Sequence, residues 1–262
     1  AAPSAERSQR AVQSAEVGGR LLLALADSED DLALKDLAER AGMTASRAHP
    51  YLVSYGRLGL VEQDAQTGRY ELGPAALRIG LACIRRLDPL RAAESIAHDL
   101  AAATGHAVAL AVWGNFGPTV VRLFEARKAL HVALRVGSVL SVLETATGKA
   151  FAAMLPDEAV RQAMIDTMGP ADRAHTAQRL QLLQEIRAEA HTHGLARAMG
   201  KPIPGVNAFS AAVLDHEGKP TLVLTATDHQ DRLSSAWNSP TAKAVKIAAA
   251  KITERLGGRV PS

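Results

Sequence analysis

The sequence predicts a mixed α+β protein in two parts: a small helical unit closed by a hairpin, then a larger antiparallel sheet with helices on its faces. Residues 34–57 repeat apolar side chains at helical spacing and run directly into a short hairpin pattern. Beyond residue 105 the hydrophobic period switches from helical to strand-like, with strand pairs joined by short turns. The chain has 262 residues, more than the roughly 100–200 of a usual single domain.

Taken in order, Ala1–Arg10 is small, polar and charged and reads as a mobile lead-in or an arm. Val17, Leu21 and Leu25 then stack at i, i+4 and i+8, a first helix ending near Asp27, and Ser28–Asp31 is an acidic loop. Leu34, Leu37, Ala38 and Ala41 form one apolar stripe, and Gly42 ends that helix. Thr44 or Ser46 can cap the next, where Ala48, Tyr51, Leu52 and Tyr55 repeat the stripe. Leu60, Val61, Tyr70 and Leu72 flank Asp64–Gly68, a turn whose glycine suits positive φ. Helix, tight turn, helix and hairpin make a winged helix-turn-helix. Such a unit lays its second motif helix in a DNA major groove and touches the flanking backbone with its hairpin.

Pro74 suits a first helical turn, and Leu77, Leu81, Ile84 and Leu87 follow as a coiled-coil-like seam. Cys83 on this helix reads as a packed small hydrophobe. Asp88-Pro89 restarts a helix carrying Leu90, Ala93, Ile96, Ala97 and Leu100, and Thr104-Gly105 ends it. Ala107–Trp113, Thr119–Phe124 and Leu130–Val136 read as strands. Gly148–Leu155, Pro156–Met168 and Thr176–His193 read as helices, the last closed by Gly194. Val206–Leu214 and Thr221–Thr227 are two more strands. Ser239-Pro240 opens a terminal helix with Val245, Ala249, Ile252 and Leu256 inward and Gly257 as its stop. Strand pairs with short turns favour an α+β layer domain.

Composition narrows the function. Hydrophobic residues make up 47% and aromatics 3%, so the cores are built from Ala, Leu, Val and Ile. The net charge of +3 is too small to argue for nucleic acid by itself. Residues 1–80 hold nine Lys/Arg against eleven Asp/Glu, yet residues 40–61 hold three arginines, His49 and no acid. A phosphate-binding face must therefore come from local placement. The single cysteine excludes an internal disulfide framework or a Cys-rich zinc site. No apolar run approaches ~20 residues and no secretory signal opens the chain, so the expectation is a cytoplasmic protein without membrane contact.

The stretch AxxxGMTxSRAHPYLVSYxRLGLVEQDxxTGRYELG, together with ETATGKAFAAMLP (Glu144–Pro156) and GVNAFSAAVLDHEGK (Gly205–Lys219), resembles the IclR-type bacterial transcriptional regulators, in the right order over nearly the whole chain. The resemblance implies a winged helix-turn-helix domain over 1–73, linker helices with dimer contacts over 74–104, and a GAF-like effector-binding domain over 105–262. It implies that Thr44, Ser46, Arg47, His49 and Ser54 face double-stranded operator DNA and that Arg57 and Arg69 meet phosphates. In the family the place of Pro50 is more often basic, and a proline there suggests a bent helix or, with Ser46 as the cap, a late-starting one. The 74–104 stretch also reads as ordinary core helix. A homodimer is expected, with a dimer of dimers as the larger alternative.

For the second domain, Glu144–Gly148 is a small-residue loop opening a helix, and helix amino termini bind carboxylates. Thr225 and Thr227 share one strand face, as do Val206, Ala208 and Ser210. On the residues alone, tight sheet–helix packing is the simpler reading. Matching positions line the effector cavity in the family, so the resemblance implies a small-molecule site of Trp113, Leu140, Ala146, Thr147, Val206, Ala208, Ser210, Thr225 and Thr227. Its polar groups favour a small carboxylate, aromatic ones included. Ala208 stands where the family often has Cys, so no single effector carries over.

Enzyme signatures are missing. Gly148-Lys149 resembles the end of a phosphate loop, but Leu143 and Ala150 break that motif. His191-x-His193 lacks neighbouring acids or cysteine and reads as surface histidines rather than a metal site. Asp157-Glu158 suits a helix dipole. No cofactor or metal is expected. A ligand-processing enzyme carrying a winged domain, or a winged helix that binds protein only, are the alternative readings.

Overall fold

The computed structural model describes residues 12–125, 134–167 and 176–259, which divide into two compact units meeting between residues 87 and 88. The expected arm at 1–10 lies outside them. So do residues 130–133 of the third expected strand, and residues 134–136 are not strand.

The first unit is built from α1 (Gln13–Ala26), α2 (Leu34–Arg40), α3 (Ala45–Arg57), the hairpin β1 (Val61–Gln63) and β2 (Tyr70–Leu72), and α4 (Pro74–Arg85). The apolar stripes meet in one core of Leu21, Leu25, Leu32, Leu37, Ala38, Ala41, Ala48, Leu52, Val61 and Tyr70. Leu32 bridges to Tyr70, adding a one-residue third strand to the wing. Helices α1 and α3 approach closely at Gly18, where a Cβ would sit 2.1 Å from the Tyr55 hydroxyl oxygen and 2.9 Å from Tyr51 Cδ1. Gly73 similarly lies against the Gly59 carbonyl, 2.5 Å from where its Cβ would be, which brings β2 and the start of α4 onto the end of α3.

Two local readings change. Thr44 is the N-cap of α3 and the helix runs unbroken from Ala45, so the late start allowed for Pro50 does not occur. The Thr44 hydroxyl lies 3.2 Å from Ser46 Oγ and caps no backbone N–H, so the two candidate caps engage each other. Cys83 is exposed rather than packed, because α4 buries none of its residues and leaves Leu77, Ile79, Leu81 and Ile84 open.

The second unit begins with α5 (Pro89–Thr104). The Asp88 side chain accepts from the Leu90 and Arg91 N–H groups at its start, and Gly105, at φ 74°, ends it. A five-stranded sheet follows: β3 (Ala107–Gly114), β4 (Gly117–Phe124), β5 (Ala196–Met199), β6 (Val206–Leu214) and β7 (Pro220–His229), ordered β4-β3-β7-β6-β5, every pair antiparallel. The reading from sequence missed β5. Helices α6 (Ala146–Met154), α7 (Asp157–Thr167), α8 (Thr176–His193) and α9 (Pro240–Arg255) complete the unit. Of the stretch expected as linker, α4 thus belongs to the first unit, whereas α5 buries Ala93, Ala97, Leu100 and Ala101 in the second.

Strand parity assigns the two sheet faces. Thr225 of β7 meets Thr147 of α6, and Ala111, Val223 and Ala196 pack with Ala150 and Phe151 of α6. Asp228, of opposite parity, points to the α9 side. His106 Nδ1 lies 2.9 Å from Asp228 Oδ2 and its Nε2 lies 3.2 Å from Thr241 Oγ1 in the first turn of α9. Arg232 and the His229 N–H satisfy the other Asp228 oxygen. These groups were not singled out from the sequence. Hydroxyl, imidazole and carboxylate stand in the order of a nucleophilic triad, but His106, Asp228 and Thr241 are all buried and the arrangement ties β3, β7 and α9 together.

Burial pushes the Asp228 carboxyl up, but hydrogen bonds from Arg232, His106 and the His229 N–H outweigh it and hold it below the usual carboxylate range. A carboxyl depressed in the folded state stabilises the fold above its unfolded pKa, and the contribution fades as pH falls toward the folded value. Urea unfolding from pH 7 to pH 3 should therefore show a steeper acid loss for the wild type than for Asp228→Asn, with the variant less stable at neutral pH. Parallel curves would remove Asp228 from this role.

Candidate functional site

Helix α3 has one committed face. Ala48 and Leu52 are buried, with Tyr51 and Tyr55 half-buried beside them. That fixes the rotation of the helix and turns Ser46, Arg47, His49, Pro50, Val53, Ser54 and Arg57 outward, all of them exposed. Thr44, just before the helix, is exposed as well. The six candidates in this segment, Thr44, Ser46, Arg47, His49, Ser54 and Arg57, therefore share one surface, with two arginines and no carboxylate among them. The Ser54 hydroxyl donates back to the Pro50 carbonyl at 2.9 Å, so only its oxygen lone pairs remain for a partner.

The tip of the wing is closed by hydrogen bonds to one carboxylate. Asp64 Oδ1 accepts from the Gln66 N–H (2.8 Å), the Thr67 N–H (2.6 Å) and the Thr67 hydroxyl (3.0 Å), while Gly68 takes φ 70°. The Thr67 N–H, then its hydroxyl and the Gln66 N–H, hold the Asp64 carboxyl below its ordinary value. Arg69, the seventh candidate, is exposed but donates to the Asp31 carbonyl at 2.8 Å. Part of its guanidinium is thus occupied in anchoring the wing to the loop before α2.

In the second unit the candidate residues gather where α6 begins over the sheet. The Thr145 hydroxyl accepts from the Gly148 N–H at 3.0 Å, capping α6. Thr147 Oγ1 lies 2.8 Å from Thr225 Oγ1, which lies 2.7 Å from Ser210 Oγ. Three buried hydroxyls from α6, β7 and β6 thus form one chain. Thr227 is on the same face but bonds the Asn207 carbonyl at 3.1 Å. Ala208 pairs with Thr227 across the strands, and Val206 lies two residues before it on the same face. Ala146 is buried. Trp113 is half-buried and meets Phe151 edge-on, ring centroids 5.5 Å apart. Leu140, also half-buried, is held by its N–H on the Pro118 carbonyl.

Both ends of α6 are secured. Arg187 of α8 donates to the Ala152 and Leu155 carbonyls at its carboxyl end and pairs with Asp157, the favourable end for a cation. Lys149 donates to the Arg197 carbonyl at 3.2 Å, and burial holds its ammonium below the usual lysine range. A cavity of about 370 Å³ opens beside Ser210, lined among others by Ala150, Met154, Arg187, His191, Ala212 and Lys246. His193 is not poised as a ligand with His191: its ring stacks on Trp237 at 4.0 Å, with Arg197 4.1 Å from the same indole. Among the described residues no group of three or more His, Cys, Asp or Glu could hold a metal, and no helix is long and apolar enough to cross a membrane.

Two family models match the chain: the IclR helix-turn-helix domain over residues 14–65, and the bacterial transcriptional regulator IclR C-terminal domain over 81–254. The crystal structure of Pseudomonas aeruginosa HmgR superposes with a TM-score of 0.82 at 35% identity, covering 94% of this chain and 99% of that one. The glycerol operon regulatory protein of Streptomyces coelicolor is 28% identical over 226 residues, 86% of this chain and 87% of its own. The transcriptional repressor IclR of Escherichia coli is 23% identical over 250 residues, 94% and 91% respectively.

Gly148 lets the backbone of 141–142 lie against the first turn of α6. A Cβ there would meet the Ser141 carbonyl oxygen at 2.2 Å, the Val142 oxygen at 2.5 Å and Val142 Cα at 2.6 Å, all backbone. Ala gains about 1 kcal/mol over Gly in a helix, but overpacking against fixed backbone costs about 1–3 kcal/mol. Gly148→Ala should therefore lower the melting temperature by several degrees. An unchanged or raised value would show that the loop at 141–142 yields freely.

Proposed function

This chain belongs to the IclR family of DNA-binding transcriptional regulators, and from that premise we propose that α3 reads its operator while the second unit senses a small carboxylate. The observation that carries the first half is the exposed, acid-free face of α3. Ser46, Arg47 and His49 lie nearest its amino end and meet base edges. Arg57 meets phosphate, as does the part of Arg69 that Asp31 leaves free. The wing follows the flanking backbone.

The second half rests on the amino end of α6. Its first backbone N–H groups and the Thr147–Thr225–Ser210 hydroxyls are donors suited to a carboxylate. Those hydroxyls satisfy one another. A bound anion takes over their protons, and Trp113 and Leu140 lie against the apolar body, aromatic bodies included. The open apolar face of α4, with Leu77, Leu81 and Ile84, suits contact with a second copy, giving a dimer with paired reading heads and a symmetric operator; such dimers can pair again. Ligand binding then shifts the population of domain arrangements, and with it the spacing of the heads. As a regulator of genes the protein works in the cytoplasm.

Selection of duplexes from a random pool by the full-length protein supplies the operator. On it, Arg47→Ala should weaken binding by about 1–3 kcal/mol and relax preference at one base pair per half-site. An unchanged preference for cognate over scrambled duplex would remove Arg47 from base reading. Titration of the complex with aliphatic and aromatic monocarboxylates should change operator affinity for at least one compound, and Thr225→Val should weaken that response. Identical affinity with every compound would exclude the sensing half.

A further inference from the structure

We propose that Pro50 and Val53 form an apolar patch on α3 that reads the C5-methyl group of thymine in the major groove. The proposal rests on the assignment of α3 as the reading helix and names one chemical group that it reads. Both residues are exposed, Val53 to 41%. They lie three apart and so adjoin on the helix surface. Ser46 precedes Pro50 by four positions and Arg57 follows Val53 by four, so hydrogen-bonding groups border the patch along the same face.

Neither residue belongs to the core of the unit. The core side of α3 is supplied by Ala48 and Leu52, with Tyr51 and Tyr55. Pro50 is the sixth residue of the helix, well past the first turn where proline is harmless. Lacking an N–H, it leaves the Ser46 carbonyl without its helical donor, and a proline in a helix interior costs about 3 kcal/mol. That cost buries nothing, since Pro50 is exposed. A partner surface is what can offset it, and the partner must offer an apolar group among polar ones. On the major-groove edges of the base pairs, the apolar group that distinguishes one pair from another is the thymine methyl; the rest of the code is hydrogen-bond donors and acceptors. A pyrrolidine ring beside a branched valine makes a compact, rigid apolar surface of the size to cover one methyl.

The operator selected by the full-length protein is resynthesised with each thymine replaced singly by deoxyuridine, which removes the methyl and leaves all base-pairing and groove hydrogen bonds in place. Burial of one methyl group predicts a loss of about three- to fivefold at one or more thymines per half-site. Val53→Ala should bind thymine and uracil duplexes alike at that position. Its dependence on salt should match the wild type, because no phosphate contact has changed. Pro50→Ala gives a second, independent readout: it should raise the melting temperature while lowering the preference for thymine over uracil. Uracil tolerated at every position overturns the proposal, as does a uracil penalty that both variants retain. A selection that enriches no sequence overturns the assignment of α3 as the reading helix and this proposal with it.

Discussion

Packing of α3 against α1 and α2 through Ala48 and Leu52 is the constraint on which the rest of the first unit depends. The small domain orients its helices by seating two large side chains of α3 against a glycine of α1. Gly18 on α1 lets Tyr51 and Tyr55 settle into the space a methyl group would fill. Once those contacts are made, the rotation of α3 is fixed, and the outward set of Ser46, Arg47, His49, Pro50, Val53, Ser54 and Arg57 follows. On the proposed reading, the DNA-facing surface of this domain is the unburied remainder of a core-packing solution. The proposed DNA-facing surface needs no net positive charge of the whole domain, because the acids lie elsewhere than on this face.

A similar economy governs the second unit. Its sheet is lined on one face by alanine, serine and threonine, which lets α6 sit low enough for Thr147 to reach Thr225. Gly148 permits the backbone of 141–142 to pass under the helix. On the other face, the buried Asp228 is satisfied by His106 and Arg232 and so fastens α9 to the sheet. A buried pair broken on one side is strongly destabilising. The α6 face holds its polar groups in mutually bonded hydroxyls, which exchange partners at little cost. Of the two faces, the hydroxyl-lined one is the better suited to answer a ligand.

Much of this was legible in the sequence where the signal is local. The stripes of α1, α2, α3 and α9, the proline-opened starts of α4 and α5, the turn at Asp64–Gly68 and the shared strand faces of Thr225 with Thr227 and of Val206, Ala208 and Ser210 all follow from period, caps and parity. What was not legible depends on contacts distant in sequence. His106, Asp228 and Thr241 are spread over more than half of the chain, and nothing near any of them signals the other two. Strand β5 has four residues beside a glycine, too short for alternation to register. The cap of α3 was ambiguous because Thr44 and Ser46 are equally suitable, and their hydroxyls in fact meet each other. Cys83 was misread because an amphipathic helix normally has a partner within its own domain, and α4 leaves its apolar face open.

In the reading proposed above, the exposed face of α3, steadied by its packing, is the surface that recognises sequence in DNA. Amide hydrogen exchange of the full-length protein, measured with its selected duplex and with a scrambled duplex of equal length, tests this most directly. The account predicts added protection across residues 45–57 with the cognate duplex and clearly less with the scrambled one, while the sheet of the second unit is unaffected by the choice of sequence. Equal protection of 45–57 by both duplexes, or sequence-dependent protection confined to other segments, would contradict it.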